Sequence, residues 1–89
     1  MNNYSKIIKP SIKQLINDNT NLVKKISWHL HGRVNSIVDI EDIIQIGMLG
    51  LISAAQNYVP QKNASFASYA SIRIKGEILD YLRKSSNLD

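Results

Sequence analysis

From Ile40 to Tyr58, apolar residues return every three or four positions with no proline to interrupt them. That spacing is helical, because side chains at i, i+3, i+4 and i+7 share one face of a 3.6-residue turn. Ile40, Ile43, Ile44, Gly47, Leu51, Ala54, Ala55 and Tyr58 make up the stripe. A helix with so wide an apolar face is stable only when other elements cover it. The rest of the chain offers helices for that purpose and no convincing strands. Two prolines and four glycines punctuate the whole sequence. The pattern predicts an all-α fold, a compact bundle of roughly four helices.

The 89 residues suffice for one small domain with one modest core. Residues 1–19 supply an N-terminal helix and turn, opened by Pro10 and Ser11, with Ile12, Leu15 and Ile16 on one face. Asn17 to Asn21 is turn chemistry, and Asn19 or Thr20 caps the second helix. That helix is expected from Asn21 to His31, burying Leu22, Val23, Ile26 and Leu30 and leaving Lys24 and Lys25 outside. Trp28 is expected to anchor the core and Gly32 to end the helix. Asp39 opens the third helix, with Asp42 three residues on as a loose capping box. Gly47 and Gly50 lie inside that helix, each costing up to about 1 kcal/mol relative to alanine, and mark places where another helix comes close. Residues 59–64 form the loop. Ser65 caps a fourth helix over 65–84 whose core stripe is Phe66, Ala70, Ile74, Ile78 and Tyr81 or Leu82. Residues 85–89 are a polar, frayed tail.

An enzyme reading finds no support. The sequence has no cysteine, which excludes disulfides, zinc fingers, iron–sulfur sites and a thiol nucleophile. His29 and His31 flank Leu30 and point to different sides of a helix, whereas a metal pair wants i, i+4 spacing. No glycine-rich phosphate loop occurs, and the clustered acids are explained as a helix start. No catalytic residue, metal or cofactor is therefore expected. No apolar run approaches the roughly 20 residues of a membrane span. The first ten residues lack the apolar core of a signal peptide, so cytoplasmic residence is expected.

Charge is unevenly placed. The net charge is +4, but residues 1–38 carry +5, residues 39–59 carry −3 and residues 60–89 carry +2. Basic ends suit nucleic acid. The acidic middle suits docking on a basic protein surface.

Two surfaces stand out. Asp42, Gln45, Leu49 and Ile52, with Met48 beside them, form a second stripe on the third helix, acidic at one end and apolar at the other. It reads either as a central helix packed on several sides or as a helix with one core face and one partner face. On the fourth helix, Tyr69, Ile72, Arg73, Gly76 and Asp80 face away from the core stripe, flanked by Lys75 and Arg83. An exposed ring among cations can stack on an unpaired base while the cations hold phosphates. The plainer alternative is a half-buried tyrosine and a solvated basic face.

The segments DIEDIIQIGMLGLISAAQNY and SFASYASIRIKGEILDYLR, in this order and at this separation, strongly resemble region two of bacterial RNA polymerase sigma factors. The fit is best to the flagellar and sporulation-type class, and LVKKISWHLHGR resembles the helix that opens the same region. The resemblance spans residues 20–84. It implies that residues 20–58 dock on core RNA polymerase, at the clamp coiled coil of the large subunit, with Asp42, Gln45, Met48, Leu49 and Ile52 on the contact face. It implies that residues 65–84 recognise and melt the minus-ten promoter element. Phe66 and Tyr69 then fall near the flipped base of the non-template single strand, followed by Ile72. Arg73, Lys75 and Asp80 fall where the upstream half of the element is met. An anti-sigma protein is a further partner the resemblance allows.

Asn63 stands where the family often has glycine, Ile72 and Arg73 stand in place of a tryptophan pair, and Ile46 replaces an acid. The family's second DNA-binding domain does not follow Asp89, so the chain reads as either an excised domain or a short stand-alone protein. Two other functions compete. One is a truncated sigma-like interaction module that occupies the polymerase clamp or a regulator without initiating. The other is a helix-turn-helix duplex binder, disfavoured because its turn would be shorter than the loop here.

Overall fold

The computed structural model describes residues 11–33, 38–60 and 64–85. Pro10, Asn63 and the tail residues 86–89 lie outside them. Four helices follow in order: α1 Ile12–Asp18, α2 Thr20–Arg33, α3 Ile40–Asn57 and α4 Phe66–Ser85. The fold is the expected all-α bundle.

Ser11 caps α1 through its Oγ, which accepts from the Gln14 N–H at 3.0 Å. Leu15 is buried, but Ile12 is 47% exposed and does not join the inner face that the sequence suggested. Asn19 serves both sides of the turn. Its N–H donates to the Ile16 carbonyl at 3.1 Å and its Nδ2 to the Leu15 carbonyl at 2.8 Å, closing α1. Its own carbonyl accepts from the N–H groups of Leu22 and Val23 and so starts α2. The side chain expected to cap α2 forward thus points back.

Along α2, Val23, Ile26 and Ser27 are buried, and Leu22 and Leu30 pack at the edge of the core. Trp28 is 56% exposed, contrary to expectation. It lies on the outer side of the helix, its ring edge-on to His31 at 5.9 Å. The reason is rotational: with Val23, Ser27 and Leu30 turned inward, the residue after Ser27 swings about 100° toward solvent. Gly32 does not stop the helix, which continues to Arg33, and no glycine has positive φ. The end of α2 is tied to the approach of α3 by His31, whose Nε2–H donates to the Val38 carbonyl at 3.1 Å.

Helix α3 runs through the middle and packs on all three others, most extensively on α4. Asp39 occupies the N-cap position, but its side chain makes no capping hydrogen bond, so the capping box is not formed. Only its carbonyl contributes, accepting from the N–H groups of Asp42 and Ile43. Ile43, Leu51, Ala54, Ala55 and Tyr58 are buried as expected, while Ile40 and Ile44 are half-buried.

The two α3 glycines are the points of closest helix approach. A Cβ on Gly47 would lie 2.9 Å from Val23 Cγ1, 3.2 Å from Ile78 Cδ1 and 3.2 Å from Ser27 Oγ. A Cβ on Gly50 would lie 2.9 Å from Ile74 Cα and 3.0 Å from the Arg73 carbonyl oxygen. Gly47 therefore admits side chains of both α2 and α4, and Gly50 admits the backbone of α4. Ser27 Oγ, buried beside Gly47, has no hydrogen-bond partner among the described residues.

Ser65 Oγ accepts from the Ser68 N–H at 3.1 Å and opens α4 as expected. Phe66, Ala70, Ile74, Ile78 and Leu82 make its buried stripe, and Tyr81 stays half-buried. Across the loop, the Tyr58 hydroxyl donates to the Ala64 carbonyl at 2.9 Å. Its ring meets Phe66 edge-on at 5.1 Å. That contact and hydrogen bond set where α4 begins relative to the end of α3.

Candidate functional site

The second stripe of α3 is open to solvent. Asp42, Gln45 and Leu49 are exposed, Leu49 at 57%, which favours a partner face over burial on all sides. Ile52 and Met48 are half-buried, and Met48 leans on the core and contributes only part of its side chain to this face. Asp42, Gln45, Ile46, Leu49 and Tyr81 line an open groove of about 390 Å³. Tyr81 comes from α4, one stripe removed from anything the α3 spacing could reveal. Among the described residues no basic side chain pairs with Asp42, so its carboxylate is available to a partner.

On α4 the candidates divide by depth. Ile72 is 73% exposed and Lys75 is exposed. Tyr69 is half-buried, its ring tilted 41° against Tyr58 at a centroid distance of 5.5 Å. It is thus neither free of the core nor enclosed by it. Phe66 is only 8% exposed, packed on Tyr58. In this arrangement the ring belongs to the core stripe and packs against Tyr58, which itself meets Tyr69. The helical reason is that Phe66, Ala70 and Ile74 fall on one i, i+4, i+8 row, so a buried Ile74 draws Phe66 inward.

Arg73 is half-buried, and its Nη2 donates to Ser53 Oγ on α3 at 2.6 Å. Asp80 receives the Lys84 ammonium at 3.3 Å, one turn along. Arg73 and Asp80, two of the six side chains expected at DNA, are thus partly engaged within the chain. The Asp80–Lys84 pair is an i, i+4 pair within α4, whereas the Arg73–Ser53 tie crosses between helices and is not visible in spacing on one of them.

A second groove, of about 300 Å³, lies between α2 and α4 and is lined by Leu22, Lys25, Ile26, His29, Ser71 and Lys75. Lys25 with His29 and Ser71 with Lys75 are each spaced i, i+4, but only helix packing brings the two pairs together. Among the described residues no group of three His, Asp or Glu could hold a metal ion. No helix among them is long and apolar enough to cross a membrane.

The profile of the Sigma-70 region 2 family matches residues 15–87, nearly all of the described chain. The chain belongs to the Sigma-70 region 2 family. Relatives point to the flagellar-type class within it. The chain is 49% identical over 82 residues to the RNA polymerase sigma factor FliA of Pseudomonas aeruginosa, covering 91% of this chain and 33% of that protein. It is 38% identical over 63 residues to the RNA polymerase sigma-D factor of Bacillus subtilis, covering 66% of this chain and 24% of that one. The FliA of Escherichia coli K12 is 36% identical over 62 residues, covering 70% of this chain and 26% of its own length. The region 2 chain thus spans about a third or less of these relatives. The matched range includes α3 whole and α4 whole, the two helices in close contact at Gly50.

Proposed function

We propose that this region 2 chain binds core RNA polymerase through α3 and recognises and melts the minus-ten promoter element through α4, as part of transcription initiation in the cytoplasm. It acts by binding and not as an enzyme. The observation that carries the reading is the exposed Asp42–Gln45–Leu49 stripe on α3, packed in one bundle with an α4 that exposes Ile72 and Lys75 and half-exposes Tyr69. The acidic end of α3 suits the basic clamp coiled coil of the large polymerase subunit. The cations and ring of α4 suit the non-template single strand, with stacking on Tyr69 and phosphate contacts from Lys75. Phe66 contributes by holding the Tyr58–Tyr69 pair. Arg73 and Asp80 contribute from positions already steadied by Ser53 and Lys84. An anti-sigma protein would compete for the same exposed faces.

The test is a binding experiment with core polymerase and two oligonucleotides of one minus-ten sequence, the non-template single strand and the duplex. The polymerase-bound chain is expected to prefer the single strand. Equal or better binding of duplex favours a helix-turn-helix mode, and capture of polymerase with no DNA binding favours the interaction-module alternative.

A further inference from the structure

The side of α2 that turns away from the core is a third open surface. Asn21, Lys25, Trp28 and Gly32 are spaced i, i+4, i+7 and i+11, so they form one row along the helix, with Lys24 beside it, and all five are exposed. The inner side of α2 meets Gly47 through Val23 and Ser27, and its flank toward α4 forms the groove lined by Leu22, Lys25, Ile26 and His29. Trp28 lines neither.

Trp28 is the one tryptophan of the chain. Among the large apolar side chains that the described residues leave exposed, it is the one aromatic, at 56%. It is held in place all the same. Its ring meets His31 edge-on at 5.9 Å, and the His31 ring is tied in turn to the Val38 carbonyl. A ring fixed before a partner arrives loses little further freedom on binding, and tryptophan is a frequent anchor of protein interfaces. One turn along, Gly32 has no Cβ, and nothing lies within 4 Å of where one would be. The row thus sets a projecting ring beside bare backbone, a shape that receives an apolar side chain from outside.

Charge says what kind of partner fits. Helix α2 carries Lys24, Lys25 and Arg33 and no acid. Among the described residues neither lysine beside Trp28 is in an ion pair. An apolar anchor rimmed by cations is complementary to an acidic segment that carries an apolar side chain. Nucleic acid is served less well, because a single strand is held by successive stacking rings along a basic track, and this row offers one ring.

We propose that the Lys24–Lys25–Trp28–Gly32 face of α2 is a docking site for an acidic amphipathic protein segment. An apolar residue of that segment packs on the Trp28 ring above Gly32, and its carboxylates meet Lys24 and Lys25. The inference does not rest on the proposed function. The exposed stripe of α3 and the exposed Ile72 of α4 lie on other helices, so a partner bound here leaves them open.

The experiment titrates the 89-residue chain with a synthetic helical peptide that places leucine at i, i+4 and i+7 and glutamate at most other positions. Binding is read by anisotropy of the fluorescein-labelled peptide and, with unlabelled peptide, by the emission of Trp28. A scrambled peptide of the same composition, a single-stranded oligonucleotide and vesicles of anionic lipid are titrated alongside. The amphipathic peptide is expected to bind saturably, to move the Trp28 emission to shorter wavelength, and to release as salt rises. Trp28→Ala and the double variant Lys24→Glu/Lys25→Glu are each expected to weaken it by about tenfold or more, and Trp28→Phe by less. Melting temperature and capture by core polymerase should stay as in wild type, since all three side chains are exposed. No binding by the wild-type chain, equal binding of the scrambled peptide, or undiminished binding by Trp28→Ala overturns the proposal. An oligonucleotide or vesicle that shifts the Trp28 emission more than the peptide does would make this a nucleic-acid or lipid surface. Loss of polymerase capture by Trp28→Ala would make it part of the polymerase contact, and a much lower melting temperature would make the ring a part of the fold. Each of these results overturns the proposal as well.

Discussion

Arg73 and Ser53 join α4 to α3 by a hydrogen bond of 2.6 Å from the guanidinium Nη2 to the serine Oγ. The bond sits one turn from Gly50, where the carbonyl of the same Arg73 comes within 3.0 Å of where a Cβ would be. A charged donor held by a neutral hydroxyl at a half-buried site gives orientation without fixing the charge against an acid. The guanidinium keeps further N–H groups for a ligand.

Removing that hydroxyl tests the tie. Ser53→Ala is expected to lower stability by roughly 1–2 kcal/mol, the scale of a hydrogen bond with one charged partner at partial exposure. Urea unfolding measures it. The same variant should weaken single-strand binding by the polymerase-bound chain, because Arg73 must then be ordered by DNA alone.

Asp42 addresses polymerase docking. Asp42→Arg should weaken capture by core polymerase by about 2 kcal/mol, close to thirtyfold, as expected for reversing one member of an interfacial charge pair. Helicity by circular dichroism should be nearly unchanged, since the Asp42 side chain is exposed and forms no capping bond. Equal pull-down of mutant and wild type would remove the partner role of this face.

Tyr69 separates packing from stacking. Its half-buried ring rests on Tyr58, so Tyr69→Ala should cost about 2 kcal/mol of stability, below the value for a fully enclosed aromatic. It should also cost about 1–3 kcal/mol in single-strand affinity if the open side of the ring stacks on a base. Tyr69→Phe should keep both, because the ring serves both ends. Thermal melting and oligonucleotide titration on the same two variants give the division. A Tyr69→Ala chain that melts far lower yet binds DNA normally would confine the residue to the core.

Gly50 and Gly47 should differ in what they tolerate. An alanine at Gly50 collides with the α4 backbone at Ile74 Cα and the Arg73 carbonyl, which can move only if the helix moves. An alanine at Gly47 meets side chains, chiefly Val23 Cγ1. Gly50→Ala is therefore expected to destabilise by roughly 2–3 kcal/mol and Gly47→Ala by less, within the overpacking range. Denaturant midpoints check the order. An equal or reversed order would mean that the α3–α4 spacing is softer than the packing implies.

The helices and their buried stripes were legible because a 3.6-residue period needs only one chain segment to be seen. The rows Phe66–Ala70–Ile74–Ile78–Leu82 and Ile43–Gly47–Leu51–Ala54 follow from spacing, and they are buried as read. Ser11 and Ser65 could be assigned as caps for the same reason, since their partners lie three residues away. The paired motifs of α3 and α4 likewise carried the family on local pattern alone.

Spacing failed where a residue's setting depends on a second helix. Trp28 is expected in the core, yet burying Val23, Ile26 and Ser27 turns it outward. Phe66 is expected both in the core stripe and near an unpaired base, and only the contact with Tyr58 across the loop shows how deeply it is buried. Period and composition determined which faces of each helix are apolar. The packing of α3 on α4 determined the rest: that Arg73 meets Ser53, that Tyr81 borders the Asp42 groove, and that Gly50 touches backbone while Gly76 touches nothing. Those relations set the separation and rotation of two helices, and no single helix encodes its distance to another.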